Sequence, residues 1–279
     1  MSKFSCCGAV FVIVMSLVTG CVVGPRNVLQ TAGYETLICH RGESFDAPEN
    51  TLPAYRMAVE RGFGFECDIY LSRDGRVFTF HDRDLNRTTA GANTNRCADV
   101  DWEGTVSKLD VGNWGKWKDS KYKGTRPALL EEVLDLARDG RRIYIEVKTG
   151  PEIVPHVKRI LAAQAKATPE NILFISFNAA ACRALKEALP EYKVYFLCAN
   201  KTAEQVIELV RGCKADGVDI RYDSAVHTAE FVRTVRNAGL EFHIWTVDDP
   251  KKTVEAFGRG VQTVTTNCAL KQLQLLGLD

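Results

Sequence analysis

Three things are missing from this chain of 279 residues: an apolar run of membrane-spanning length, an excess of charge, and any compositionally biased tract. The N-terminal apolar run, Gly8 to Val18, has 11 residues, where a transmembrane helix needs roughly 20. Lys and Arg number 36 against 35 Asp and Glu. A neutral chain has no electrostatic footprint for a polyanion, so nucleic acid is excluded as a partner. With 46% hydrophobic and 25% charged residues and no low-complexity segment, the chain is an ordinary globular one with ample core.

The short apolar run has a reading of its own. It follows one cation, Lys3, and ends in small residues, as the h-region of a secretion signal does. The ending LVTGC, Leu17 to Cys21, resembles the lipobox of bacterial lipoproteins. That resemblance implies removal of residues 1–20, acylation of Cys21, and anchorage to a cell-envelope membrane by lipid, facing the periplasm or the exterior. Residues 21–33 then form a tether and 34–279 the working domain; an ordinary signal peptide or a frayed hydrophobic tail is the alternative. Loss of Lys3 with the leader leaves 35 charges of each sign. Seven cysteines follow Cys21: 39, 67, 97, 182, 198, 213 and 268. An odd, scattered set is not a disulfide framework, even in an oxidising compartment. Cys39 and Cys67 each neighbour an inward polar residue, so both should pack on the opposite face as small hydrophobes.

From residue 36 onward, short apolar strands alternate with amphipathic helical stretches such as TLPAYRMAVERG, which has Asn50 or Thr51 as cap and Gly62 as stop. Strands are expected at Thr36–Cys39, Phe65–Tyr70, Val77–Phe80, Arg142–Val147, Ile172–Ser176, Val194–Leu197, Gly217–Ile220, Phe242–Val247 and Thr263–Thr265. Alternation of this kind predicts a parallel sheet covered by helices. Nine strands are one too many for a (β/α)8 barrel. Parallel neighbours need a crossover of a dozen or more residues, and too few separate Asp68 from Val77. Asp74-Gly75 is a two-residue hairpin signal. The second and third strands therefore form a hairpin, with Arg73 opposite Arg76, Ser72 opposite Val77, and Asp68 opposite His81. An α/β fold of the TIM-barrel type follows, as one domain. Residues 84–126 carry no long periodic element but hold Trp102, Trp114 and Trp117; they read as an insertion over the C-terminal mouth.

Side chains in a strand repeat every two residues. Glu66 and Asp68 thus share a face, as do Glu146 and Lys148. His40 and Arg41 end the first strand, and His81 closes the hairpin. A barrel gathers its strand ends at one mouth, so all these groups converge. Three buried carboxylates without a cation are costly, through desolvation and mutual repulsion. A divalent metal removes that cost, and an all-carboxylate set suits a hard ion, Ca2+ or Mg2+. Singly, each residue has a structural alternative: Glu66 or Glu146 paired with Lys148 or Arg41, His40 a satisfied core histidine.

Taken in order, HRGESFDAPENT, FECDIYLSRDGRVFTFHDRDLNRTT and IEVK resemble the glycerophosphodiester phosphodiesterase family, with weaker agreement through LDVGNWGKW, ALLEEVL, FISFN, WTV and GVQTVTTN. The resemblance implies the barrel fold of phospholipase C-like phosphodiesterases, a divalent metal, and hydrolysis of glycerophosphodiesters to glycerol 3-phosphate and an alcohol through a cyclic phosphate. It implies Glu66, Asp68 and Glu146 as metal ligands, His40 and His81 as the acid/base pair, and Arg41, Lys148 and Trp245 as substrate contacts. Three positions depart from the family pattern: Ser72 in place of Thr, Asp248 in place of the Asn that frequently follows WTV, and TTNCA in place of T-D-x-P.

Two rival readings use the same barrel. A phospholipase C-like or lysophospholipase D-like enzyme would act on lipid, with Trp102, Trp114 and Trp117 as an apolar rim. A surface lipoprotein with an adhesin or binding role would need no chemistry. The anchor is tested separately from all of these. Cys21→Ser should release the protein from membrane fractions while the barrel still folds; unchanged fractionation would refute the lipobox reading.

Overall fold

A computed structural model describes residues 33–278. The expected signal peptide, Cys21 and the expected tether up to residue 32 lie outside the described residues. Nine strands form one sheet: β1 (Leu37–Cys39), β2 (Gly64–Leu71), β3 (Val77–Thr79), β4 (Ile143–Val147), β5 (Ile172–Ser176), β6 (Lys193–Cys198), β7 (Gly217–Arg221), β8 (Glu241–Trp245) and β9 (Thr263–Thr266). Their order is β1-β9-β8-β7-β6-β5-β4-β2-β3, and β1 also pairs with β2. That extra pairing closes eight parallel strands into a barrel and leaves β3 outside it as the antiparallel partner of β2.

The helices are α1 (Leu52–Glu60), α2 (Leu130–Leu134), α3 (Val154–Ala162), α4 (Ala179–Ala188), α5 (Ala203–Gly212), α6 (Ala229–Asn237), α7 (Pro250–Gly258) and α8 (Ala269–Leu276). Short polar side chains start them. Thr51, Asn178, Thr202, Thr228 and Asp249 each accept a first-turn N–H, which satisfies donors that a helix start leaves open. Gly62, at φ +83°, follows the end of α1, the left-handed position at which helices stop.

Strand alternation separates two cores. On β4, Ile143, Ile145 and Val147 pack outward against the helices, while Tyr144 joins Ile38, Leu173, Ile175, Tyr195 and Leu197 inside the barrel. Burial on both faces explains why a strand such as ILFIS is apolar at every position but Ser176. Cys39 and Cys67 lie in the outer core as expected, and all seven described cysteines are free and buried.

The hairpin register corrects the sequence reading by one residue. Leu71 pairs with Val77, Tyr70 with Phe78 and Ile69 with Thr79. Asp68 therefore lies opposite Phe80, whose N–H donates to Asp68 O at 3.0 Å, and not opposite His81. The loop holds three residues, not two: Ser72 N donates to Arg76 O at 2.9 Å, and Gly75 N donates to Ser72 O at 3.0 Å. Gly75 sits at φ +79°, the left-handed residue that completes a turn of this length. His81 reaches the barrel mouth by another route. β3 ends at Thr79, Phe80 turns into a satellite core, and the chain bends at residues 81–83.

Residues 84–126 form short 3-10 turns over that hairpin. Leu85, Cys97, Val100, Trp102 and Val106 cover Tyr70, Phe78 and Phe80 in a core separate from the barrel. The segment also meets the β1–α1 loop, where Tyr122 Oη donates to Asp46 O at 3.0 Å and Lys116 Nζ to Phe45 O at 2.7 Å.

Candidate active site

The loop after β1 carries more of the site than any other segment. Arg41 and Gly42 adopt positive φ, 57° and 78°. A Cβ at Gly42 would lie 2.7 Å from the backbone carbon of Ala54, so only glycine lets the loop press against the start of α1. Glu43 N donates to Ala54 O at 3.1 Å and fastens that contact. The loop then returns Glu49 and Asn50 to the mouth. Glu49 Oε1 meets Arg41 Nη1 at 2.8 Å and Arg87 Nη2 at 2.7 Å. Asn50, also at positive φ (56°), donates its amide to Asp68 Oδ2 at 2.7 Å and accepts the Asp68 N–H at 3.0 Å.

The carboxylates come from two adjacent strands. Asp68 on β2 is the register partner of Glu146 on β4, and Glu66 is one pleat back. One ligand oxygen from each of the three lies within 4.8 Å of the others. Glu66 Oε2 accepts the Arg41 N–H at 2.8 Å, while its buried Oε1 has no hydrogen-bond partner. Asp68 faces Lys148 Nζ at 3.2 Å and Arg41 Nε at 3.5 Å. Glu146 Oε1 accepts from Lys148 Nζ at 2.8 Å. Burial would raise the Asp68 carboxyl, but Lys148 and Arg41 outweigh it and hold the group well below the carboxylate range. Glu66 has no such cover: burial, then the charges of Asp68 and Glu146, push it well up. Burial followed by Asp68 lifts Glu146 to about 7, against the pull of Lys148. Three acids thus face two cations, and only Asp68 is held low by both. With Glu66 Oε1 unpartnered, the cluster fits a divalent cation, which would supply the charge the protein withholds.

His40 Nδ1 lies 2.7 Å from Asn267 Oδ1. The two late departures from the family pattern prove to be partners: Asn267 Nδ2 donates to Asp248 Oδ2 at 2.7 Å, and Asn267 N donates to Asp248 Oδ1 at 2.8 Å. A carboxylate only accepts, so the Asn267 amide must turn its NH2 toward Asp248 and its oxygen toward His40. His40 therefore carries its proton on Nδ1 and leaves Nε2 as an acceptor. Burial, then the Arg41 charge, lowers its pKa to about 4. On the other side, His81 Nδ1 meets Asp82 Oδ1 at 2.7 Å, and Arg87 Nε fixes Asp82 Oδ2 at 2.6 Å. Burial lowers His81 too, while Asp68 and Asp82 pull it upward.

A cavity of about 190 Å³ joins these groups; its wall includes His40, Arg41, Glu66, His81, Glu146 and Lys148. Trp245 is on that wall as well, its indole N–H donating to Asp219 O at 3.1 Å. Asp68 lies behind the wall, fully buried beneath Arg41 and Lys148. Sequence reasoning missed Glu49, Asn50, Asp82, Arg87, Asp219 and the roles of Asp248 and Asn267. PENT and the HD…RTT run marked the first four without showing what they touch. Trp102, Trp114 and Trp117 form no rim on this cavity. Trp102 is buried in the satellite core, Trp114 lies under the Arg87 guanidinium at 4.9 Å, and Trp117 packs edge-on to Tyr122 at 5.4 Å.

Fold and site together define an enzyme of the barrel phosphodiesterase class, in which carboxylates, cations and two histidines face one small cavity at the strand ends. Comparison with known proteins specifies it. Residues 40–270 match the profile of the glycerophosphoryl diester phosphodiesterase family. A glycerophosphodiester phosphodiesterase of Caldanaerobacter subterraneus is 29% identical over 248 residues, 80% of this chain and 98% of that protein. A Thermotoga maritima glycerophosphodiester phosphodiesterase structure superposes with TM-score 0.65 at 26% identity, covering 86% of this chain and 97% of that one. An Oleispira antarctica phosphodiesterase, solved with the product sn-glycerol-3-phosphate, gives TM-score 0.76 at 24% identity over 89% of this chain and 99% of that one. The chain belongs to the glycerophosphoryl diester phosphodiesterase family, and it is a phosphoric diester hydrolase.

The electrostatics make a prediction that needs no substrate. In metal-free protein, Glu66→Gln removes a desolvated, repelled carboxyl and should leave thermal stability unchanged or higher. Wild-type protein should gain about 2.7 kcal/mol at a divalent-cation concentration 100 times Kd, and the variant should lose most of that gain. Thermal unfolding with chelator and with added cation measures both; a variant stabilised by cation as much as wild type would contradict the assignment.

Proposed function

We propose that this chain hydrolyses glycerophosphodiesters to glycerol 3-phosphate and an alcohol, by acid/base catalysis between His40 and His81. The observation that carries this reading is the meeting of both histidines with Arg41 and Lys148 on one cavity of about 190 Å³. That volume is below the roughly 300–1,000 Å³ of pockets for drug-sized ligands, which favours a small water-soluble diester over a lipid. Glu66, Asp68 and Glu146 would hold the metal, with Ca2+ or Mg2+ the ions their oxygens suit. When bound, such an ion supplies positive charge to a phosphoryl oxygen.

The chain's own groups account for the remainder. Arg41 and Lys148 offset the charge of the anionic diester and of the more charged transition state. His40 Nε2 takes the proton from the glycerol hydroxyl beside the phosphate. The hydroxyl oxygen bonds to phosphorus as the bond to the departing alcohol breaks, and His81, its proton retained by Asp82, protonates that leaving oxygen. Water then opens the cyclic phosphate with the two histidines in exchanged roles. Cys21, if acylated, would keep this barrel beside an envelope membrane.

Glycerol 3-phosphate release from glycerophosphocholine by the purified chain tests the reading: chelator should abolish it, and Ca2+ or Mg2+ restore it. His40→Ala and His81→Ala should each lose about 10²–10⁴-fold; wild-type rates in either would overturn the assignment. Asp82 raises the His81 pKa, so Asp82→Asn should lower it. If His81 is the acid, needed protonated, the alkaline limb of the kcat/KM profile moves to lower pH. A displaced acid limb would instead make His81 the base.

A further inference from the structure

One side chain on the cavity wall has no part in the chemistry above. Asp219 lies on β7 between Val218 and Ile220, which pack outward against the helices; alternation turns Asp219 into the barrel. It is 1% exposed, and its Oδ1 has no hydrogen-bond partner. Its neighbours across the sheet are Leu197 on β6 and His243 on β8. His243 Nδ1 is already committed to Thr263 Oγ1 at 2.6 Å. Among the described residues, no lysine or arginine pairs with Asp219, and burial, followed by the Glu146 charge, pushes its carboxyl well above the usual range. A protonated carboxyl can both donate and accept.

A buried polar group without a partner is costly, and here the open side is the cavity. Apolar surface stands beside it. Ile175, Phe177, Leu197 and Trp245 line the same space, with Phe177 edge-on to Trp245 at 5.8 Å between ring centroids. The Asp219 carbonyl holds the Trp245 indole at 3.1 Å, so acid and ring keep a fixed relation. A polyol presents C–H faces and O–H edges, and this wall offers one surface for each.

We propose that Asp219 is a substrate-binding residue that receives a hydroxyl of the glycerol moiety and makes the cavity selective for polyol phosphates over plain alkyl phosphates. The proposal rests on the hydrolytic reading above and names a determinant of its substrate class. Titration calorimetry with the full chain and saturating Ca2+ would compare glycerol 3-phosphate with ethyl phosphate, which lacks both hydroxyls. Wild-type protein should prefer glycerol 3-phosphate by at least about 10-fold, the scale of one hydrogen bond to a buried group. Asp219→Val should cut the preference by about 10-fold without weakening ethyl phosphate, and Asp219→Asn, which still bonds a hydroxyl, should keep most of it. No preference in wild type, equal weakening of both ligands by Asp219→Val, or an undiminished preference in that variant would each overturn the proposal. Turnover separates the two claims. Hydrolysis of glycerophosphocholine without the binding preference sinks Asp219 alone, and the preference without hydrolysis sinks the reaction.

Discussion

The mutual repulsion of three buried carboxylates is the constraint on which the rest of the site depends. Register creates it: Asp68 and Glu146 are lateral partners on β2 and β4, with Glu66 two residues before Asp68. Parallel strands at that spacing bring one oxygen of each residue within 4.8 Å of the others. The protein answers with Arg41 and Lys148; both reach Asp68, while Lys148 also bonds Glu146 and Arg41 also bonds Glu49. A third protein cation would offset the remaining repulsion and leave no charge for a divalent cation to supply.

The β1–α1 loop shows what it takes to deliver that arrangement. His40, Arg41, Glu49 and Asn50 all come from one short connection, and Arg41 and Asn50 are held at positive φ, a conformation that costs of order 1–2 kcal/mol per non-glycine residue. The loop is held there by Gly42 against Ala54, by Asn50 against Asp68, and by Glu49 between Arg41 and Arg87. Arg87 belongs to the 84–126 segment. That segment lines none of the cavity, yet through Arg87 it fixes Asp82 and hence His81. It bears on the cavity through the orientation of Asp82 and His81.

Much of this was legible in the sequence because the barrel is written in period-two strands and capped helices. All nine strands occur where their apolar runs lie, and the short Asp68-to-Val77 separation correctly placed β3 outside the barrel. Register was less legible. The Asp74-Gly75 pair suggests a two-residue loop, but Gly75 serves a three-residue one, and that single residue moves Phe80 opposite Asp68. Trp102 looked like a candidate for the mouth and is a core residue, since composition does not say which way a loop folds. The pairing of Asp248 with Asn267 was invisible because the two lie in separate strand-end loops, and each read alone as a departure. In space they are one hydrogen-bonded unit that sets the tautomer of His40.

The central claim is that the carboxylate cluster is built around a cation. Anomalous diffraction from crystals grown in Ca2+ tests it directly. One peak should lie about 2.3–2.6 Å from oxygens of Glu66, Asp68 and Glu146, with Lys148 still beside Asp68. A featureless cluster at saturating Ca2+, in protein that hydrolyses its substrate at full rate, would contradict it.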